Sequence, residues 1–148
     1  MKFIKIVFII LSVAFIIAQF VPVDKSNPKF DTKLDLINME NPPENIAQIL
    51  RTTCYDCHSN ETVWPWYSNI APVSWVVAKH VEEGRDNFNF SFWGEYDQDD
   101  KSYAVEEIIE EMEEGDMPIP GYDLTHPDAK LTMEQKESLF VWLRTLQK

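Results

Sequence analysis

The chain has 148 residues, a formal charge of −12, a hydrophobic fraction of 45%, five tryptophans and two cysteines. That length leaves room for about one small domain, and the apolar and aromatic content excludes a disordered tail. The acidity argues against nucleic acid and anionic lipid headgroups as partners and toward a positively charged protein surface.

The N-terminus carries Lys2 and Lys5, then an apolar run from Ile6 to Val21 broken only by Ser12 and Gln19. Extended to Val23, the run is roughly 27 Å as a helix, against a hydrocarbon core of about 30 Å. This predicts a transmembrane helix within residues 1–23, with the preceding lysines on the cytoplasmic side. A cleaved signal peptide is the alternative, but Ala18-Gln19-Phe20 ends in a bulky residue where a small one is needed. Either reading localises the remainder to the cell envelope, on the periplasmic or extracytoplasmic side, and the first anchors it to the inner membrane. Residues 24–42, mixed in charge and rich in proline, are expected to be a tether, and residues 43–148 the domain.

Within the domain, Pro43 opens a predicted helix that runs to Thr53, with Ile46, Ile49 and Leu50 at helical spacing. A second is predicted from Val73 to Glu83, with Gly84 as its stop. Asn87 to Trp93 alternates Phe88, Phe90 and Phe92 with polar residues, an extended pattern too short to imply a sheet. Ser102 to Glu114 is amphipathic, with a row of glutamates opposite Val105, Ile108 and Met112 and Gly115 at its end. Thr132 is set to cap a last helix carrying Leu139, Phe140, Trp142, Leu143 and Leu146.

Between the first two helices stands Cys54-Tyr55-Asp56-Cys57-His58, the c-type haem attachment pattern. In a helical turn, thiols three apart share a face and can both add to haem vinyl groups, while the adjoining imidazole reaches the iron. A redox CxxC site would need a βαβ setting, and zinc would need further ligands at compact spacing, where only His80 and His126 remain. The reading is one covalent haem c, with His58 as proximal ligand.

A sixth ligand would be a thioether or an imidazole from Met112, Met117, Met133, His80 or His126. Met112 and Met133 fall at packing positions on helices, and His126 before Pro127 reads as a turn residue. Met117 follows the Gly115 stop and is held out of helical geometry by Pro118, so a loop can present it across an opening. It is the favoured distal ligand, with His80 the runner-up. Arg51 and Arg85 are candidate partners for haem propionates, with ordinary salt bridges as the plainer expectation for both.

Residues 54–60, Trp64-Pro65-Trp66-Tyr67-Ser68, Ile70-Ala71-Pro72-Val73-Ser74, Glu83-Gly84-Arg85, Asn89-Phe90-Ser91 and Gly115-Asp116-Met117-Pro118 together carry a resemblance. Beyond about Asn41 the chain resembles the single-haem "haem-binding domain" family of bacterial envelope proteins, related to class I c-type cytochromes. The resemblance implies an all-α, small cytochrome c-like helical domain around one covalent haem. It implies Cys54 and Cys57 as attachment points, His58 and Met117 as axial ligands, and first and last domain helices that cross near the haem edge.

Three functions are then expected in descending order. The first is one-electron transfer with a redox partner that has a basic docking surface, the protein being a carrier and not an enzyme. The second is a haem-based sensor or peroxidase-type protein with an accessible distal iron site. The third is an interaction module that uses the haem as a structural staple.

Overall fold

The computed structural model describes residues 2–147. Eight α-helices follow one another: α1 (Lys2–Ala18), α2 (Leu36–Glu40), α3 (Glu44–Thr53), α4 (Tyr55–His58), α5 (Val73–Asn87), α6 (Gln98–Glu114), α7 (Tyr122–Thr125) and α8 (Met133–Arg144). Short 3-10 turns join them, and no strand occurs among the described residues, in keeping with the all-α expectation.

The expected membrane-spanning helix is not supported. α1 has 17 residues, and no helix among the described residues is long and apolar enough to cross a membrane. The reason lies at its end. Gln19, one of the two breaks in the apolar run, leaves the helix, and its side-chain amide donates to the Ala71 carbonyl at 3.0 Å and accepts from the Ala71 N–H at 3.0 Å. Pro22 then bars any continuation. At 1.5 Å per residue the helix is about 25 Å long, short of a hydrocarbon core of about 30 Å. The cell-envelope localisation through a membrane anchor loses its support with it.

The expected tether also contributes to the core. The Asp35 carboxylate accepts from the N–H groups of Ile37 at 3.0 Å and Asn38 at 3.4 Å, capping α2 and turning Leu36 and Ile37 inward. The Tyr55 hydroxyl donates to both Asp35 oxygens at 3.1 Å, so the acid is buried but not unpartnered. Burial holds the Asp35 carboxyl above its ordinary range, against the lowering effect of the Tyr55 hydrogen bond.

Leu50 from α3, Val105 and Ile108 from α6, and Leu139 and Leu143 from α8 meet Phe90 and Trp93 in one core. Burying each such side chain is worth about 1.5–3 kcal/mol, which is why a five-turn helix as acidic as α6 still docks. α8 packs on both α3 and α6. It begins as expected, with Thr132 and Gln135 satisfying one another's backbone N–H groups in a capping box. α6 begins four residues before the expected Ser102, because Asp97 caps it, accepting from the Asp100 N–H at 2.9 Å.

Two other expectations change. The alternating Phe88–Phe92 segment is not extended throughout but enters a 3-10 turn over Phe90–Glu95, with Phe88 and Phe90 buried and stacked toward Tyr55 and His58. α5 does not stop at Gly84 but continues to Asn87. Gly84 serves proximity instead: a Cβ there would lie 2.7 Å from the Cys57 carbonyl oxygen. The missing side chain lets α5 lie directly against the turn that carries the cysteines.

Candidate functional site

Cys54 closes α3 by donating its N–H to the Leu50 carbonyl at 2.9 Å, and its own carbonyl accepts from Cys57 at 3.2 Å and His58 at 2.9 Å. One turn therefore holds both sulfurs and the imidazole. Both cysteines are free thiols. Burial pushes Cys54 up to about 12 and Cys57 up to about 11, the Asp56 charge adding to the latter, so both stay neutral S–H groups at neutral pH.

His58 is buried, with its ring stacked on Phe88 at a centroid distance of 4.2 Å and an interplanar angle of 14°. Nδ1 lies 3.3 Å from the Phe88 carbonyl oxygen. The tautomer that donates there leaves the Nε2 lone pair for a metal, the arrangement that orients most histidine ligands. Desolvation holds the His58 pKa below its ordinary value, against the opposing Phe88 and Gly84 carbonyls, which favours the neutral form that ligation needs.

The Phe88 carbonyl is itself fixed by a polar network. The Asn89 side chain donates to Asn60 at 2.9 Å and accepts from the Ser91 N–H at 3.0 Å, while the Ser91 hydroxyl accepts from the Asn60 N–H at 2.9 Å. Arg85 fastens the neighbouring loop, donating to the Ser59 carbonyl at 2.8 Å, the Thr62 hydroxyl at 2.9 Å and Asn27 at 2.8 Å. Its guanidinium is committed to these groups, and no salt bridge joins it to a carboxylate among the described residues.

Two adjoining cavities, of about 170 and 280 Å³, open beside this turn. Both are lined by Thr53, His58, Asn87, Met117 and Pro118; Cys54 borders the first and Cys57 the second. Phe88, Phe90, Ile108 and Met112, with Glu107 and Glu111 at its edge, complete the first wall. The Thr53 hydroxyl oxygen is buried without a hydrogen-bond partner, an orphan that a polar atom of a bound group would satisfy. An apolar cleft with a neutral imidazole, a thioether, two S–H groups on its rim and one unsatisfied hydroxyl fits a haem.

The five distal candidates separate by position. Of these two cavities, Met117 lines both with His58, His80 lines the second and not the first, and Met112 lines the first and not the second while buried in the core. Met133 is 83% exposed and borders neither. His126 borders a third cavity, stacked on Tyr122 at 4.0 Å. Arg51 caps no acid in a salt bridge among the described residues.

Sequence reasoning missed the Phe88 carbonyl, the close approach at Gly84 and the partnership of Asp56 with Tyr122, whose hydroxyl donates to the Asp56 carboxylate at 2.9 Å. A main-chain acceptor leaves no mark on residue type. The other two had a signal in the sequence, a glycine inside a helical pattern and an acid within the CxxCH turn.

No curated protein and no solved structure matches the chain. A family model described as a haem-binding domain matches residues 13–145, nearly the whole length, and the chain belongs to that haem-binding domain family.

Proposed function

We propose that this haem-binding protein holds a single haem covalently through Cys54 and Cys57, with His58 and Met117 as axial ligands, and that it transfers single electrons. The observation that carries this reading is the pair of cavities which His58 and Met117 line together, with one cysteine at the edge of each. Cys54 and Cys57, as neutral thiols, would each add S–H across a vinyl double bond, sulfur to one carbon and hydrogen to the other, without net oxidation. The haem supplies the one-electron couple. The chain's residues set its surroundings: the Phe88 carbonyl orients His58, apolar side chains line most of the cleft, and thioether ligation favours the reduced iron.

Six-coordinate iron leaves no vacant site for a substrate, which favours an electron carrier over a sensor or peroxidase. Glu107 and Glu111 border the first cavity, on the acidic side of α6, and a basic redox partner would be steered to that edge. The test is spectroscopic. The denatured chain should keep the added mass of haem, and the oxidised native protein should show the weak far-red thioether-to-iron band. Met117→Ala should lose that band; its retention would remove Met117 from the iron. Rapid carbon monoxide binding to the reduced wild-type protein would point to the sensor instead.

A further inference from the structure

Asp56, the acid between the two cysteines of the attachment turn, is bonded to the segment that follows Met117. We infer that the Asp56–Tyr122 hydrogen bond is a clasp that keeps the Met117 loop closed over the cleft, so that both are positioning residues for distal ligation; this rests on the Met117 reading above.

The loop is held at two ends. At its start, the Glu111 carbonyl accepts from the N–H groups of Gly115 at 3.1 Å, Asp116 at 2.9 Å and Met117 at 3.1 Å. Gly115, at φ 87°, supplies the left-handed turn that only glycine adopts freely. At its end, the Tyr122 hydroxyl donates to Asp56 Oδ2 at 2.9 Å. Only Pro118-Ile119-Pro120-Gly121 separates Met117 from Tyr122, and each proline fixes its own φ near about −65°, so little slack remains between the thioether and the clasp.

The acceptor is fixed as well. Asp56 Oδ1 takes the Val63 N–H at 2.8 Å, which stops the carboxylate from rotating away from Tyr122. A bond to a charged acceptor is also about twice as strong as one between neutral groups. Among the described residues, no other hydrogen bond joins residues 54–58 to residues 115–126. Tyr122 lines the same cavity as His58 and Met117. Its helix has one further side-chain tie to the domain, a hydrogen bond of 3.1 Å between Thr125 and Tyr67. That tie reaches the loop after the tryptophans and not the attachment turn, which makes it a natural control.

The experiment uses the full haem-loaded chain and reads two quantities, the far-red band and the rate of carbon monoxide association with the reduced protein. Tyr122→Phe is expected to weaken the band and raise the association rate about tenfold, a factor equivalent to about 1.4 kcal/mol. Asp56→Asn restores a partner, because its amide can donate to the Tyr122 oxygen, and should stay within about threefold of wild type. Thr125→Val should change neither readout. Should Tyr122→Phe not fold, Asp56→Ser, which is too short to reach Tyr122, carries the same expectation. An unchanged band and rate in Tyr122→Phe, with the band lost in Met117→Ala, would overturn the clasp alone. A band retained in Met117→Ala would overturn both the Met117 reading and the clasp.

Discussion

Replacing Gly84 by alanine sets two known effects against each other. In an open helix interior the change stabilises by about 0.8–1 kcal/mol, because alanine loses less backbone freedom. Here the added Cβ would sit 2.7 Å from the Cys57 carbonyl oxygen, 3.0 Å from its carbonyl carbon and 3.2 Å from its Cβ. All three atoms belong to the attachment turn, and two are backbone, so no flexible side chain can swing aside. Relief requires α5 to retreat from α4 by several tenths of an ångström. Overpacking of this kind costs about 1–3 kcal/mol, and contact below 3.0 Å with backbone belongs in the upper part of that range. The net expectation for Gly84→Ala is a loss of about 1–2 kcal/mol, read as a lower midpoint in urea unfolding at unchanged slope. In the haem-loaded protein the same shift should move Cys57 and reduce the yield of attached haem. A rise in stability of about 1 kcal/mol, as propensity alone requires, would refute the close-approach argument.

Tyr55→Phe removes the hydroxyl that donates to both Asp35 oxygens and should cost about 1.5–3 kcal/mol at neutral pH by urea unfolding, whereas a loss below 0.5 kcal/mol would show the buried acid to be solvated by other means. Because burial raises the Asp35 pKa, the folded state binds the proton more tightly than the unfolded state, and stability from this group is present below the ordinary carboxylate range and lost as pH rises through the raised value. Asp35→Asn has no such loss, so its stability relative to wild type should improve between acid and neutral pH; a difference that does not change with pH would contradict the assignment. If the acidic edge of α6 steers partners, electron exchange with cationic hexaammineruthenium should slow as ionic strength rises and the screening length falls from about 30 to 8 Å, with anionic ferricyanide showing the opposite slope. The double variant Glu107→Gln, Glu111→Gln should flatten both slopes, and slopes of the same sign for both probes would remove the steering argument.

Much of the fold was legible because its signals are local. The capping box at Thr132, the Gly115 stop and the apolar spacing of α3 each lie within one or two turns of chain, and the helices begin or end there. The failures share a different cause. The apolar run at the N-terminus has the length and flanking charge of a membrane span, but Gln19 is drawn out of the helix by Ala71, a residue 52 positions away. Asp35 looked like part of a polar tether because its partner, Tyr55, lies in the attachment turn, and the alternating phenylalanines looked extended because periodicity is blind to the stacking of Phe88 on His58. Each error replaced a long-range contact by a local pattern.

The same division runs through the site. The cysteines and His58 could be found from their spacing, which is what the proposed attachment requires, since a single turn would then present two sulfurs and one nitrogen. What orients them could not. The groups that do so are a carbonyl (Phe88), an absent side chain (Gly84) and a carboxylate whose partner stands 66 residues later (Asp56). These three act on different sides of one short helix: Phe88 holds the ring of His58, Gly84 lets α5 press on the turn, and Asp56 reaches toward the loop of Met117. A substitution at any of them leaves the CxxCH pattern intact. If His58 and Met117 ligate the iron as proposed, its consequence should be read in the far-red band as well as in haem content.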